Sequence, residues 1–273
     1  MPGARGRACG LARRAVLAGG LCASFIRAPQ FARAANGEAR RAILGHRFRD
    51  GEALFEVVDL VSPHPNALMP RARSFARDAR ALMADCLREV SGAPVEPVGE
   101  PNRWGVQPVM VPARGTTEKS LAEKLVAKGA ARVLPTSNNP VRIAALLAAE
   151  EQARLAGAGL WGLNFYRVRN ANLVDDCRDA IGSIQVLTGT VMEARLSRRR
   201  AFINFGTDYR EDVTATIPAR EARKWFNAGR TIESLSGKTI RVRGYLEWIN
   251  GPSLSLTHPQ ALEVLGETNA AAD

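Results

Sequence analysis

Apolar residues recur at two spacings in the first half of the chain, and these spacings predict strands alternating with helices. Short apolar runs typical of strands are followed by turn residues, and Pro63 and Pro65 forbid regular structure after the first run. Other segments carry apolar residues every three or four positions, which is typical of helices with one buried face. The predicted strands are residues 53–61, 95–98 and 104–111, and the predicted helices are residues 71–90, 119–131 and 139–156.

A different order of elements follows residue 183. Three strands are predicted first, then a helix opened by Pro218, then two further strands. This is the order of an OB barrel, whose helix lies between the third and fourth strands. The predicted strands are residues 184–196, 201–206, 212–217, 238–249 and 253–256, and the helix is residues 219–228. We therefore predict a first domain at 42–162, a polar linker at 163–182 and a second domain at 183–266.

The net charge of the chain is unevenly distributed. The sequence has 38 Lys and Arg against 27 Asp and Glu, which gives a formal charge of +11. Six of the arginines lie in residues 1–34, which hold no acid, so the remaining residues carry a net charge of +5. A basic balance often indicates an anionic partner, but this modest excess is weak support for nucleic-acid binding on its own.

Residues 1–34 have the pattern of an export signal. Arg13 and Arg14 precede an apolar stretch that is too short and too rich in glycine to span a bilayer, and Ala32-Arg33-Ala34 offers small residues for a signal peptidase. The paired arginines suggest twin-arginine export, hence a periplasmic or secreted protein. The alternatives are a membrane anchor formed by an uncleaved signal, or an organelle transit peptide. No stable membrane span is expected after signal removal.

Two cysteines lie outside this segment, Cys86 and Cys177. Their separation fits no zinc site. In an oxidising compartment they could form a disulfide. Cys86, however, shares a predicted helix face with Leu82 and Met83, which favours a buried free thiol.

The residues from Asn102 to Gly162 carry a recognisable signature. Asn102-Arg103-Trp104-Gly105 opens a strand, a helix runs into Leu125-Val126-Ala127-Lys128-Gly129-Ala130-Ala131, and the last helix, with Leu146-Leu147-Ala148-Ala149-Glu150-Glu151-Gln152-Ala153-Arg154, closes on Gly159-Leu160-Trp161. This arrangement resembles the staphylococcal-nuclease-like (thermonuclease) family. Asn204-Phe205-Gly206, Val242-Arg243-Gly244 and Asn250-Gly251-Pro252 resemble an OB-type extension of some bacterial members. The resemblance implies a mixed fold of β-barrels plus helices: a staphylococcal-nuclease-like OB barrel followed by a second OB-like barrel.

The resemblance also implies a reaction, calcium-dependent phosphodiester hydrolysis, but the residues for it are not found. That chemistry needs carboxylates for the cation and arginines facing the phosphoryl group. The family's two arginine positions are occupied by Glu56 and Val106, its metal aspartate by Val61, and its glutamate by His64. The early Asp-Gly-Asp-Thr motif falls near residues 42–45, where no acid stands. We therefore predict a catalytically impaired protein with no resident metal or cofactor, calcium being needed only if activity is retained.

Other residues near these positions leave alternatives open. A shift of one or two residues in the alignment would let Asp50, Glu52 or Asp59 reach the site. His64 could serve as a substitute base, although a loop histidine between two prolines is more often simply exposed. His46 has no partner at metal-ligand spacing.

The second domain offers a candidate nucleic-acid interface. Alternation along the strand 238–249 places Arg241, Arg243 and Tyr245 on one face and Trp248 on the other, apolar face, and a basic face with an aromatic residue suits backbone contact and base stacking. The turn Arg198-Arg199-Arg200 joins two strands at a loop that OB folds use for ligands. The alternative for both features is a solvated surface.

Three functions remain from the sequence. The first is an exported, catalytically impaired member of the nuclease family that binds single-stranded nucleic acid or another polyanion. The second is a residual metal-dependent phosphodiesterase that uses acids other than the family's. The third is a module of the cell envelope that binds another protein.

Overall fold

A computed structural model of the chain describes residues 39–113, 115, 118–208, 210–226 and 231–266. The predicted export signal lies outside these residues. The described residues form one compact unit. In the first part of the described chain, strands and helices alternate as β1 (Arg41–Leu44), β2 (Arg47–Asp50), β3 (Ala53–Val57), β4 (Leu60–Val61), α1 (Ala76–Glu89), β5 (Glu96–Pro97), β6 (Val106–Met110), α2 (Leu121–Ala127), β7 (Arg132–Val133) and α3 (Pro140–Leu155).

Strands dominate the later part of the chain. The predicted strand 184–196 is divided at Val191 and Met192 into two strands. Short 3₁₀ turns at Pro70–Arg73, Gly159–Gly162, Asn164–Tyr166, Ile232–Leu235 and Pro259–Ala261 connect the elements. The strands and helices of this later part are β8 (Arg169–Asn170), α4 (Val174–Arg178), β9 (Ser183–Thr190), β10 (Glu193–Leu196), β11 (Arg200–Asn204), β12 (Thr214–Pro218), α5 (Ala219–Trp225), β13 (Thr239–Trp248), β14 (Pro252–Ser255) and β15 (Leu262–Val264).

Local sequence explains where α2 and α3 begin. The Ser120 side chain accepts from the Glu123 backbone N–H, while the Glu123 carboxylate accepts from the Ser120 N–H, so two free helix donors are satisfied together. The Asn139 side chain accepts from the Arg142 N–H, and Pro140 occupies the first helical position, where a missing N–H costs nothing. The predicted start of the third helix is therefore confirmed.

The first sheet has the strand order β1-β2-β3-β6-β5, and β4 forms a separate pair with β7. β3 and β6 run parallel, while the other pairs are antiparallel. Phe48 and Leu121 are fully buried in the hydrophobic cluster beneath this sheet, together with Met83 of α1. The sheet and its helices thus form one core.

The second sheet has the strand order β10-β11-β12-β14-β13-β9-β8, with β15 pairing to β13. β12 and β14 run parallel, and α5 and β13 lie between them in the sequence. β13 pairs with β9 from Thr239 to Leu246 and pairs with β14 at its end. These pairings are consistent with an OB-like barrel.

The segment predicted as a polar linker packs into the core around the second sheet. Residues 163–182 contain β8 and α4, and Tyr166, Ala171 and Cys177 are buried in the same hydrophobic cluster as Leu187 of β9. Trp161, which ends the family signature, is buried in this cluster as well. The segment therefore contributes to the packing of the second sheet and does not act as a free connection.

Cys86 and Cys177 are both buried free thiols, as predicted for Cys86. Burial raises the pKa of Cys86 to about 11 and that of Cys177 to about 12. Both sulfurs are thus protonated at neutral pH and lack the thiolate character that reactive cysteines need. Within the described residues, no helix is both long enough and apolar enough to span a bilayer.

Candidate functional site

The positions that the resemblance assigns to catalysis lie on β3, β4 and β6, but their side chains make no metal site. Glu56 on β3 is ion-paired with Arg47 of the neighbouring strand. Val106 is buried and pairs with Leu54, so it offers no charge to a phosphoryl group. Val61 ends β4, and His64 is exposed in the proline loop, where its Nδ1 accepts from the Asn66 N–H at 3.0 Å. The exposure predicted for His64 is confirmed.

The acids that were left as alternatives are engaged elsewhere or exposed. Asp50 accepts from the Arg40 guanidinium at 3.1 Å, and Glu52 is exposed. Asp59 is buried and accepts from the backbone N–H groups of residues 136 and 137. Across the part of the chain that the structure describes, no three His, Cys, Asp or Glu side chains cluster as metal ligands would. The donor set present does not fit a family calcium site.

His46 is the titratable group that sequence reasoning passed over at this site. It follows the short segment 42–45 on which the family's first metal motif falls, and its Nδ1 lies 2.7 Å from the Ser62 hydroxyl. Its Nε2 lies 3.8 Å from a Glu56 carboxylate oxygen, and the residue is 7% exposed. Burial, assisted by the charge of Arg47, lowers the pKa of His46 to about 3. The side chain is therefore a neutral, buried hydrogen-bonding group.

This burial predicts a pH-dependent stability. Because the folded pKa lies well below the ordinary value of 6.5, unfolding takes up a proton as the pH falls from about 6.5 towards 3. We expect the free energy of unfolding to fall by about 1.4 kcal/mol per pH unit from this group in that window. Replacing His46 with Gln should flatten that part of the pH profile in urea unfolding. An unchanged slope in H46Q would contradict the assignment.

A cavity of about 200 Å³ separates the β4 loop from the second sheet. Val61 and His64 line it on one side, and Phe165, Ile184 and Tyr245 line it on the other. Two of the four positions that the family uses for catalysis therefore face a partly open, mostly apolar space that is also lined by the later part of the chain.

The predicted basic face of β13 is wrong for two of its three residues. Arg243 is 2% exposed, and its guanidinium contacts Glu150 at 2.5 Å, Glu263 at 2.6 Å and the Val133 carbonyl at 3.1 Å. Burial disfavours its charged form, but the two carboxylates outweigh that effect and raise the pKa of Arg243.

Arg241 is likewise taken up inside the protein, because it is ion-paired with Glu151 and Glu263. Tyr245 is half exposed at the cavity. Trp248, which the alternation placed on the buried face, is 48% exposed, and the Arg178 guanidinium lies 4.9 Å from the centre of its ring. Alternation places Arg241 and Arg243 on the face opposite Val242, but that face is covered as well, so it does not present their guanidinium groups to a ligand.

The turn between β10 and β11, residues 197–200, is exposed as predicted. The Ser197 N–H and hydroxyl both donate to the Arg200 carbonyl, which closes the turn and directs Arg198 and Arg199 outwards. Neither guanidinium is bound to another residue of the described chain. Arg200 donates to the Thr216 hydroxyl at 3.1 Å and is therefore partly committed to the sheet.

Further cations extend the surface around this turn. The Arg199 carbonyl accepts the N–H of Ala219 at the start of α5, so that helix begins beside the turn. Arg220 and Arg223 are exposed on α5, and Arg195 lies 5.0 Å over the ring of Phe202. We call the set Arg195, Arg198, Arg199, Arg200, Arg220 and Arg223 the arginine surface.

Comparison with known proteins bears on the first part of the described chain. Residues 55–162 match the family model described as staphylococcal nuclease homologue. The match covers β3 to the Gly159–Gly162 turn, the part of the chain that carries the signature found in the sequence. No curated protein matches the chain. Residues 55–162 therefore form a segment that is similar to the staphylococcal nuclease homologue family.

Proposed function

We propose that this protein binds single-stranded nucleic acid and does not cleave it by the mechanism of the family. The lack of arginine at the two family positions supports the proposal that the protein does not cleave nucleic acid by the family mechanism. The positions for arginine hold Val106 and Glu56, and Glu56 is paired with Arg47. Electrostatic stabilisation of the transferring phosphoryl group is usually the largest contribution to such catalysis, and neither of the two family positions supplies an arginine for it.

The arginine surface supports the proposal that the protein binds single-stranded nucleic acid. Arg198 and Arg199 present guanidinium groups to solvent, and the stack of Arg195 on Phe202 adds an aromatic platform. Nearby acids are already engaged: Glu221 is paired with Lys224, and Glu233 accepts from the Leu196 N–H. Arg195 is itself paired with Glu193 at 3.9 Å, so the guanidinium groups of Arg198 and Arg199 are the ones offered to phosphates. Such groups beside an aromatic ring suit a single strand, whose phosphates and bases they contact together.

The topology of the second sheet supports this placement. We infer that the sheet closes as an OB-type barrel in which β9 and β10 together form the first strand. The β10–β11 turn is then the loop between strands one and two, one of the two loops through which OB folds bind oligonucleotides. The parallel pairing of β12 with β14 and the antiparallel pairing of β13 with β9 agree with that order.

The binding proposal is tested with a fluorescein-labelled single-stranded oligonucleotide across a salt series. We expect the double variant Arg198→Ala, Arg199→Ala to bind more weakly at low salt. We also expect the slope of log K against log salt to become shallower by about 1.4. Each phosphate contact with a single strand releases about 0.7 counterion on binding, and the variant lacks two such contacts. Anisotropy at several salt concentrations gives both quantities.

The matched control removes two exposed arginines from the first domain. Arg77 and Arg80 lie on α1, so Arg77→Ala with Arg80→Ala changes the net charge equally and leaves the turn intact. This control should keep the wild-type slope. Equal losses in both double variants would reduce the effect to net charge and overturn the site. No binding of the wild type at low salt would overturn nucleic acid as the ligand and favour the envelope protein alternative.

We also propose that the chain is exported to the periplasm or secreted. Arg13-Arg14, the apolar stretch after it and Ala32-Arg33-Ala34 support this proposal. Expression in a bacterial host, followed by fractionation and intact mass of the protein, tests it. Cleavage after Ala34 is expected, and a full-length protein in the cytoplasm would contradict it.

A further inference from the structure

The cavity between the β4 loop and the second sheet contains a buried arginine with no acidic partner. Arg132 lies on β7, pairs with Val61 of β4, lines the cavity and is 5% exposed. Its guanidinium donates to the Ile184 carbonyl and, at 3.4 Å, to the Gln185 side chain, and it lies 5.1 Å from the centre of the Tyr166 ring. Every one of these partners is electrically neutral.

Two other buried arginines of this protein contact carboxylates. Arg243 contacts the carboxylates of Glu150 and Glu263, and Arg169 contacts that of Asp179 at 2.5 Å. Arg132 forms no ion pair with any carboxylate in the described ranges. A buried charge is ordinarily paired, because a buried charge without a partner loses its hydration and gains no compensating electrostatic interaction.

The charges around Arg132 do not repair this deficit. Glu150 is the nearest acid with an electrostatic effect on it, but one oxygen of Glu150 accepts from the Val133 N–H at 2.6 Å and the other contacts Arg243. Arg243 and Arg169 add positive potential. Burial lowers the pKa of Arg132 to about 10, so the group still carries its charge at neutral pH.

We propose that this cavity binds a small organic carboxylate, with the carboxylate on Arg132 and the apolar body against Phe165, Ile184 and Tyr245. A guanidinium is suited to a carboxylate because its planar N–H groups can bind two oxygens, and low polarity around it strengthens the bond. Ser62 and Ser183 also line the cavity.

The size of the cavity limits the ligand. About 200 Å³ is less than the usual volume of pockets for drug-sized molecules, so the body is restricted to about one ring or a short branched chain. The site shares no residue with the arginine surface. Its test is therefore independent of the test of nucleic-acid binding.

The probes are benzoate, phenylacetate and isovalerate, with benzamide and inorganic phosphate as comparisons, measured by calorimetry on the full-length protein. We expect saturable binding of at least one carboxylate, with benzamide and phosphate much weaker. No saturable binding of any carboxylate would overturn the proposal. Equal binding of benzamide would show an apolar cavity that ignores charge, and equal binding of phosphate would show an anion site that ignores the apolar body; either result also overturns it.

Two variants locate the site. Arg132→Gln should weaken carboxylate binding by about ten- to a hundredfold, because one charge-assisted contact is removed. Ala67→Phe fills the cavity from its edge and keeps Arg132, so it should abolish binding even if Arg132→Gln proves unstable. Leu68→Phe is the control, since Leu68 is 84% exposed. Carboxylate binding that survives Ala67→Phe, or that is lost equally in Leu68→Phe, would contradict the location.

Discussion

Replacing Arg243 with Met should lower the free energy of unfolding by about 3–5 kcal/mol. The variant keeps most of the volume but leaves Glu150, which is 4% exposed, without its cation and leaves Glu263 with Arg241 alone. It also leaves the Val133 carbonyl without the guanidinium that donates to it. Urea unfolding at neutral pH measures the loss. Arg178→Met, at an exposed pair with Asp175, is the control and should change stability by less than about 1 kcal/mol.

A double-mutant cycle separates the ion pair from the packing. Glu150→Gln removes the charge while retaining an oxygen that can accept from the Val133 N–H. If the penalty in Arg243→Met comes from an uncompensated carboxylate, adding Glu150→Gln should restore part of the stability, so the two changes are not additive. Strict additivity would mean that the pair contributes nothing and that Arg243 acts by packing alone.

Replacing Asp59 with Asn should lower the free energy of unfolding by about 3 kcal/mol, because a buried charge pair is broken. The Asp59 side chain is fully buried and is ion-paired with Arg142. It accepts from the N–H of Thr136 at 2.8 Å and from the N–H and hydroxyl of Ser137 at 2.7 Å each. Its positive φ of 65° is one that Asn tolerates, so backbone strain is not added by the change.

The same variant decides whether Asp59 is a structural acid or an unorthodox metal ligand. The structural role predicts that calcium does not raise the melting temperature of the wild type, and that Asp59→Asn is destabilised with or without calcium. Asp175→Asn, at a side chain that is 94% exposed, is the control and should stay within about 0.5 kcal/mol of the wild type. Calcium stabilisation of the wild type that disappears in Asp59→Asn would support the residual phosphodiesterase instead.

Local signals in the sequence are sufficient for the starts of α2 and α3. Asn139-Pro140 and the Ser120–Glu123 capping pair are contained within four residues, so the starts of α2 and α3 follow from the side chains themselves. The family signature likewise lies in one continuous stretch, and the family match at residues 55–162 confirms it.

The interior of the site depends on partners that are distant in sequence. Arg243 meets Glu150 across 93 positions, and Arg132 reaches Ile184 across 52 positions. Alternation along β13 shows that Arg243 faces away from Ile240 and Val242, but it cannot show that α3 covers this second face. For the same reason His46 looked like a lone histidine, although its partner Ser62 lies 16 positions later.

Loss of the family reaction is tested most directly by cleavage of labelled single-stranded DNA by the purified protein, with calcium and with a chelator. An active staphylococcal nuclease serves as the positive control. We expect the DNA to remain intact in both conditions while the oligonucleotide still binds at low salt. Digestion that requires calcium and stops with the chelator would contradict it.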